Sequence, residues 1–318
     1  MRAFSVFSAP GQWFRGNCHT HTTLSDGKSS PVEVAAAYRE QGYDFLVLTD
    51  HRKSQESVAE LSRKGFLVIN GIEHHPPALK PHTAVPHHIV GIGIDKTPSD
   101  KWVRAVTADK WIRWVWRNGG IPVYAHPYWS GHDLDHMREG RRAFGVEVFN
   151  SVCEAERGLG DSSAHLDHAL SEGIPWRVFA VDDMHKIQRD AFAGWIMVKA
   201  RDLTRAAILR AILKGNFYAT QGPEILQLSV RRGIARIECS PVHKIVWHCV
   251  GPYGRIAVAE TALTEAEYDL RKRENARYLR VELIDFTGRK AWSQPVWRDA
   301  RTGAWHDPAE PTLQRKGR

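Results

Sequence analysis

The segment YDFLVLTDH, residues 43–51, joins a continuous apolar run to a polar end. Such a run predicts a strand buried on both faces, and strands of this kind belong to parallel sheets that helices cover. The preceding segment, PVEVAAAYREQG (31–42), follows a serine, starts with proline and ends in glycine, which are signals for the start and the end of a helix. Together the two segments predict a helix–strand unit, with Asp50 and His51 where the strand ends.

The same alternation continues over the first 222 residues. Further strands are predicted at FLVINGIEHH (66–75), HHIVGIGI (87–94), IPVYAHP (121–127), GVEVFN (145–150) and PWRVFAVDDMH (175–185), and helices at 54–65, 99–120 and 203–216. Alternating short strands and helices indicate βαβ units and a parallel sheet or barrel, and six or seven strands favour a barrel. No G-x-G-x-x-G follows the first strand, so a dinucleotide-binding fold has no support.

After Pro223 the pattern changes. The segments at 224–251 and 278–297 alternate apolar and polar residues and contain glycine and proline, which predicts antiparallel strands of a small β domain resembling a sandwich. We therefore expect a barrel over residues 1–222, a β domain over 223–300 and a tail over 301–318.

Composition bounds the class of protein. Of 318 residues, 42% are hydrophobic and 25% charged, which is ordinary for a packed globular protein. We find no run of about 18 apolar residues and no secretory signal, so we expect no membrane span. Four cysteines without a C-x-x-C pair fit a reduced, cytoplasmic protein. The net charge of +8 favours a small, anionic partner. Nucleic acid is not expected, because no basic stripe with interleaved aromatic residues is present.

Histidine is unusually frequent, with 17 residues, and it clusters with carboxylates near the ends of predicted strands. The clustered residues are His19, His21, Asp26, Asp50, His51, Glu73, His74, His75, His87, His88, His126, Asp182, Asp183 and His185. In a barrel the strand ends converge on one face, and so many buried polar groups are costly unless they are paired or bound to metal. The pattern predicts a metal site with more ligands than the three that one catalytic zinc needs, with Glu73 as a bridging carboxylate.

Six motifs resemble, in order, those of the polymerase-and-histidinol-phosphatase (PHP) metallohydrolases. They are H-T-H-T-x-x-S-D-G (19–27), L-T-D-H (48–51), G-I-E-H (71–74), H-I-V-G (88–91), A-H-P (125–127) and D-D-M-H (182–185). This resemblance runs from about Gly16 to Pro223. Later stretches, including AHPYWSG, GVEVFNSVCE and AWSQPVW, are similar to a narrower branch related to carbaryl (carbamate) hydrolases and extend the likeness to about Trp297.

The resemblance implies an α/β fold with a distorted (β/α)7 barrel that holds three divalent metal ions, of Mn, Zn or Fe. Carried over by motif, the ligands of the first ion are His19, His21, Glu73 and Asp183. Glu73 also bridges to the second ion, whose other ligands are His88 and His126. The ligands of the third ion are Asp26, His51 and His185. His87 competes with His88, and Asp182 with Asp183, and the motifs favour the second of each pair. We interpret His74, His75 and His82, which lie outside the motifs, as residues of the rim.

The implied chemistry is hydrolysis by a hydroxide that bridges two metal ions, with His51, Glu73 and Asp183 as the catalytic residues. The general acid is His51, Asp183 or water. Lys28 and Arg52 are candidates to bind a phosphate, or are ordinary loop charges. Tyr128 and Trp129 form an aromatic wall or pack on the rim, and Asn150 is a further candidate for contact with substrate.

We expect a metal-dependent hydrolase, most simply a phosphoesterase acting on a small organic phosphate. The near alternative is hydrolysis of a carbamate, ester or amide on the same metals. The alternative from a different class is a non-catalytic metal-binding module.

Overall fold

The computed structural model describes residues 4–7, 9–55, 58–79, 85–273 and 275–306. His82 and residues 307–318 of the expected tail lie outside the described residues. The helices are α1 (Pro31–Glu40), α2 (Asp100–Val103), α3 (Ala108–Arg117), α4 (Leu134–Glu139), α5 (Ser151–Arg157), α6 (Ser163–Ser171), α7 (Ile187–Asp190) and α8 (Arg205–Leu213).

The strands fall into two sets along the chain. The first set is β1 (Phe4–Val6), β2 (Gln12–Asn17), β3 (Phe45–Leu48), β4 (Leu67–His74), β5 (Ile89–Ile92), β6 (Ile121–Tyr124), β7 (Gly145–Asn150), β8 (Arg177–Val181) and β9 (Trp195–Ala200). The second set is β10 (Phe217–Thr220), β11 (Ile225–Arg231), β12 (Ile234–His248), β13 (Gly254–Asp269), β14 (Tyr278–Ile284), β15 (Lys290–Trp292), β16 (Val296–Arg298) and β17 (Trp305–His306).

The predicted helix–strand unit at 31–51 is confirmed by α1 and β3. Helix α1 begins with a capping box, in which the Ser30 side chain accepts from the Glu33 N–H and the Glu33 carboxylate accepts from the Ser30 N–H. Strand β3 is buried on both faces. The buried Tyr38 of α1 donates to Asp182 at 2.7 Å, which ties the helix to the end of β8.

The strands β9–β2–β3–β4–β5–β6–β7–β8 lie side by side in this order. The pairs β2–β3, β3–β4, β6–β7 and β7–β8 are parallel as predicted. Strand β5 is antiparallel to both of its neighbours, which corrects the expectation of an all-parallel sheet. This reversal explains why its polar residues, His87 and His88, precede the strand: they lie at the same edge as the residues that follow β4 and β6.

The sheet is not closed, because β8 and β9 form no ladder within the described residues. An isolated parallel bridge between Thr20 and Met184 instead joins the segment after β2 to the segment after β8. The His21 N–H donates to the Met184 carbonyl at 2.9 Å, and the Asp183 N–H donates to the His19 carbonyl at 2.9 Å. These bonds bring together two motifs that are about 160 residues apart in the sequence.

Two helix predictions were wrong in part. The described part of 54–65 contains only a 3-10 turn, Val58–Leu61. Gln55 explains this, because its side chain donates to Asp50 at 2.8 Å and its carbonyl accepts from Asn70, which holds the segment against the sheet. The long helix predicted at 99–120 is two helices, α2 and α3, and the second starts anew after Thr107, whose backbone is extended.

The strands after Pro223 pair antiparallel, as their alternating pattern predicted. Two ladders connect them to the first set of strands: β10 pairs with β9, and β1 pairs with β11. A separate apolar cluster fills this part, with Leu228, Ile237 and Trp247 among its buried residues. The division of domains at residue 222 stays a prediction.

Ion pairs join α6 and the segment before it to the antiparallel strands, and we call Asp161, Asp167, Arg280, Glu282 and Lys290 the interface ion network. Arg280 is fully buried and donates to both Asp167 oxygens at 2.7 and 2.6 Å and to Glu282 at 3.2 Å. Lys290 Nζ lies 2.7 Å from Asp161 and 3.1 Å from Glu282. Each of these charges therefore has an opposite charge at hydrogen-bond distance.

None of the helices in the described ranges is long and apolar enough to cross a membrane.

Candidate metal centre

The nine predicted metal ligands come together at one edge of the sheet. Their ligand atoms form three neighbouring groups, each with all of its atoms within 4.8 Å of one another. The groups are His19, His21 and Asp183; Glu73, His88 and His126; and His21, Asp26, His51 and His185. These are the sets that the motifs implied for three ions, except that Glu73 falls in the second group and His21 belongs to two groups.

The first group lies where β2 and β8 end. The Nε2 atoms of His19 and His21 are 3.1 Å apart, so the two rings present their ligand nitrogens to the same space. Asp183 Oδ1 lies 3.1 Å from the first nitrogen and 2.9 Å from the second. Both imidazoles are fully buried, and Asp183 is 5% exposed.

Glu73, at the end of β4, lies between the first and second groups. Its Oε2 is 3.4 Å from Nε2 of both His19 and His21. Its Oε1 is 3.0 Å from His88 Nδ1 and 3.9 Å from His126 Nε2. One carboxylate oxygen thus faces each group, as a bridging ligand requires.

The third group lies nearer to solvent. Asp26, which is about half exposed, has one oxygen 3.3 Å from His51 Nε2 and the other 3.4 Å from His185 Nε2. His21 takes part through its second nitrogen, because its Nδ1 is 3.8 Å from Asp26. His21 therefore lies between the buried first group and the more exposed third group.

The backbone is strained at this edge of the sheet. Arg52, His126 and Asp183 have positive φ angles of 61°, 26° and 52°, in a region that non-glycine residues rarely adopt. Each is held by a hydrogen bond from its own N–H: Arg52 to the Glu73 carbonyl, His126 to the Glu147 carboxylate and Asp183 to the His19 carbonyl. Such strain concentrates at functional sites, where the surrounding structure maintains it.

Burial and neighbouring charges shift the pKa values of the clustered residues in different directions. Burial alone would raise the pKa of Glu73, but the charges of His51 and His19 hold it well below its ordinary value. Burial alone would lower the pKa of His51, but the Glu73 and Asp26 carboxylates raise it to about 10. Burial and the charge of His88 lower the pKa of His126 to about 3. The carboxylates are thus anionic, and a cation next to them is favoured.

The residues fit divalent metal ions. Glu73 Oε2, Asp183 Oδ1 and His51 Nδ1 are buried, and their neighbours are other possible metal ligands. His51 Nδ1 lies 2.7 Å from Glu73 Oε2, and Asp183 Oδ1 lies 2.9 Å from His21 Nε2. Imidazole nitrogens and carboxylate oxygens together suit Zn, Mn or Fe. The cluster is therefore capable of binding divalent metal ions.

Glu147 is a site residue that the sequence reasoning missed. It is buried in β7, and its Oε1 lies 2.6 Å from His19 Nδ1, which leaves His19 Nε2 to face the first group. Its Oε2 accepts from the His126 N–H at 3.1 Å and from Asn150 at 2.9 Å. A carboxylate that orients a ligating histidine is usual in metal sites. The signal was the lone charged residue inside the apolar strand GVEVFN.

Asn150 lies behind the ligands. It is fully buried, donates to Asp183 Oδ2 at 3.1 Å and caps α5 by accepting from the Cys153 N–H.

His87 and Asp182, the alternatives to His88 and Asp183 as ligands, have other partners. His87 lies at hydrogen-bond distance from Tyr124 and Glu139, and Asp182 accepts from Tyr38 and from the N–H groups of residues 192–194.

A pocket of about 400 Å³ opens onto the ligands, which is within the usual range for small-molecule sites. Two residues predicted for substrate, Lys28 and Trp129, line it. Arg52 and Tyr128 do not, and Tyr128 packs against His165 with ring centroids 5.6 Å apart. The sequence did not single out the other lining residues, which are Val152, Cys153, Glu156, Lys186 and Arg189.

Histidines and carboxylates that converge at the strand ends of an α/β sheet define a candidate metal-binding protein. Residues 17–217 match the family model of the PHP domain. The match covers more than half of the chain, and the protein therefore belongs to the PHP domain family.

Two solved structures are similar to this chain. A two-domain protein from Bacteroides vulgatus ATCC 8482, which contains a predicted PHP-like metal-dependent phosphoesterase, is 15% identical with a TM-score of 0.53 over 87% of this chain and 92% of that chain. An amidohydrolase from Chromobacterium violaceum, with bound sulfate and no metal, is 19% identical with a TM-score of 0.41 over 54% and 87% of the two chains. No curated protein is significantly similar in sequence.

Proposed function

We propose that this protein is a metal-dependent phosphoesterase that hydrolyses a small organic phosphate at a centre of three divalent ions, of Mn, Zn or Fe. The observation that carries the proposal is Glu73, a buried carboxylate whose two oxygens face two different groups of histidines. When bound, divalent ions act as Lewis acids and activate water at neutral pH.

The proposed ligands follow from the three groups. His19, His21 and Asp183 would hold one ion with Glu73, His88 and His126 would hold a second with Glu73, and Asp26, His51 and His185 would hold the third. Behind them, Glu147 fixes the ring of His19, and Asn150 holds the second oxygen of Asp183. These two residues keep the ligand atoms aimed at the pocket.

Cations at the mouth of the pocket support an anionic substrate. Lys28 and Lys186 are exposed lining residues on two loops, and a hydrogen bond of 2.8 Å from the Lys28 N–H to the His185 carbonyl joins these loops. Arg189 also lines the pocket, but Glu156 and Asp190 neutralise it. The two lysines would attract a phosphate and hold it next to the third group.

Hydrolysis of a carbamate, ester or amide is the second candidate. Trp129, Val152 and Cys153 give the pocket an apolar side, and the Trp129 ring lies 5.0 Å from that of His126. The aryl group of a carbamate would pack against this side just as well as the organic part of a phosphate ester would. A non-catalytic module is less well supported, because a module without activity would not need all nine ligands.

The finer assignments of fold and location belong to the same proposal. We propose a distorted (β/α)7 barrel over residues 1–222 and a small β domain over 223–300. We also propose that the chain belongs to the branch related to carbaryl hydrolases. The four cysteines are free and buried, which supports a cytoplasmic location.

The test is a comparison of three substrates. Protein loaded with Mn²⁺ or Zn²⁺ is incubated with p-nitrophenyl phosphate, bis-p-nitrophenyl phosphate and 1-naphthyl N-methylcarbamate, and chelated protein serves as the control. We expect metal-dependent release of nitrophenol. Cleavage of the carbamate with neither phosphate ester hydrolysed would replace the proposal with the second candidate. Bound metal without any turnover would support the non-catalytic module.

A further inference from the structure

We propose that His75 is an additional metal ligand of this centre, beyond the nine that the family motifs supply. The proposal rests on the proposed function only in requiring that the centre binds divalent ions. His75 directly follows β4, and its Nε2 lies 3.5 Å from Glu73 Oε2. The sequence had indicated a residue of the rim.

The ligand atoms of His51, Glu73 and His75 form a group of their own, all within 4.8 Å of one another. His75 Nε2 is buried and makes no hydrogen bond of ordinary geometry to the described residues. His51 Nδ1 forms an ion pair with Glu73 Oε2 at 2.7 Å, and His75 Nε2 lies 3.5 Å from the same oxygen. Three possible ligand atoms thus converge on one position, which is the arrangement that a divalent cation needs.

The ring of His75 is held in place on two sides. It stacks on His88 with centroids 3.9 Å apart and an angle of 23° between the planes, and it meets His51 edge-on at 4.4 Å. Its ligand nitrogen is therefore positioned before a metal binds, which lowers the entropic cost of binding. The stack alone would give His75 only a supporting role for His88, and the test below separates the two roles.

The neighbouring histidine provides a contrast. His74 is 3% exposed, and its ring lies 4.7 Å from that of Trp111, in the apolar core. Because consecutive residues of a strand point to opposite faces, His74 faces away from the pocket. The chain thus offers two adjacent histidines of which one faces the ligands.

The extra imidazole has a chemical consequence. Imidazole ligands suit Zn and Fe, whereas carboxylate and water suit Mn and Mg. A further histidine next to Glu73 Oε2 shifts the metal preference of the ion that this oxygen binds towards Zn²⁺ or Fe²⁺. We therefore expect His75 to contribute more to Zn²⁺ affinity than to Mn²⁺ affinity.

The experiment compares His75→Phe with His74→Phe in the full chain. Phenylalanine keeps the ring, and with it the stack on His88, but removes the ligand nitrogen. Metal-free proteins are titrated with Zn²⁺ and with Mn²⁺ in a calorimeter, and the visible absorption of Co²⁺-loaded protein reports its coordination. We expect His75→Phe to bind Zn²⁺ at one position at least about tenfold more weakly and to change the Co²⁺ spectrum, since even residues that only orient a ligand contribute this much.

A third variant, His75→Asp, restores a ligand atom but not the ring, and we expect it to regain Zn²⁺ affinity. It also keeps the proposal testable if His75→Phe does not fold. Two results would show that His75 is not a ligand. In the first, both His75 variants bind Zn²⁺ with the affinity of the wild type. In the second, His75→Phe keeps the wild-type Zn²⁺ affinity while His75→Asp binds Zn²⁺ more weakly. Failure of the phosphoesterase proposal would look different, because the wild type would bind metal without hydrolysing phosphate esters.

Discussion

Two clusters of charge occupy this molecule, and they differ in the groups that pair with their carboxylates. In the interface ion network, Arg280 donates to Asp167 at 2.6 and 2.7 Å, and Lys290 donates to Asp161 at 2.7 Å. In the metal centre, the more deeply buried Glu73 Oε2 and Asp183 Oδ1 face imidazole nitrogens instead, with nearest distances of 2.7 and 2.9 Å.

The difference teaches how to distinguish a structural cluster from a functional one. A buried charge is costly unless it is paired and hydrogen-bonded. The interface ion network meets this condition with guanidinium and ammonium groups, whereas the metal centre surrounds its carboxylates with histidines, whose neutral nitrogens are metal ligands. The interface ion network should thus contribute to stability, and the metal centre to binding and catalysis.

The largest expected effect is the loss of activity in Asp183→Asn. The substitution keeps the size of the side chain but removes the negative charge shared with His19 and His21, so a divalent ion is held poorly. Because metal chemistry contributes several kcal/mol, we expect kcat/KM for the best phosphate ester to fall by about a thousandfold or more.

The matched control is Glu282→Gln, which neutralises a buried carboxylate of the interface ion network. It should retain its metal content, measured by elemental analysis, and its activity. Equal losses in the two variants would mean that the distinction between the clusters is wrong.

Arg280→Leu should have the next largest effect, on stability. It leaves the buried Glu282 and the partly exposed Asp167 without their guanidinium partner, and breaking a buried ion pair in this way costs about 3 kcal/mol. Urea unfolding measures the free energy, and elemental analysis should find the metal content of the folded protein unchanged. A variant as stable as the wild type would show that this network does not support the fold.

Glu147→Gln should weaken metal binding without removing a ligand. Glutamine cannot hold the His19 ring as the carboxylate does at 2.6 Å, and loss of such an orienting partner typically costs about 10- to 100-fold in metal affinity. Titration with Zn²⁺ measures the change. An unaltered affinity, with intact folding, would leave Glu147 as a purely structural residue.

The smallest expected effect concerns the pH dependence of stability. Burial and the charge of Arg280 lower the pKa of His248 to about 4, although Asp167 and Glu282 act in the opposite direction and Lys290 acts with Arg280. Between pH 6.5 and 4 the unfolded chain therefore binds the proton more tightly than the folded chain does. The free energy of unfolding should fall as the pH falls through this window, by on the order of 1 to 2 kcal/mol at pH 5.

His248→Gln should make this part of the pH dependence smaller. Urea unfolding of metal-free protein at pH 7 and pH 5 provides the comparison, and His243→Gln, which changes a histidine of the same strand, is the control. If the free energy of unfolding falls by the same amount between pH 7 and pH 5 in the wild type and in His248→Gln, the role given to His248 is wrong.

Most of the residues that meet at the candidate metal centre could be predicted, because they lie in short motifs at the ends of strands; their role as ligands stays a prediction. His19 and His21 end one strand and Asp183 another, and local patterns are enough to find both. The antiparallel direction of β5 was signalled only by the position of His87 and His88 before the strand, and the sequence reasoning did not use this signal.

The remaining features depend on contacts between distant parts of the chain. Arg280 and Asp167 are 113 residues apart, and His19 and Glu147 are 128 residues apart, so no local pattern pairs them. The position of His75 beside Glu73 and His88 depends on how the chain leaves β4, which propensities do not determine. Packing between distant elements decides such features.

Metal location tests the central claim most directly. Crystals of the full chain are soaked in Zn²⁺, and an anomalous difference map is calculated at the zinc edge. We predict peaks among His19, His21, Glu73 and Asp183 and among the other two ligand groups, and no peak at Arg280 and Asp167. A map without density beside Glu73, from crystals that contain zinc elsewhere, would contradict the account.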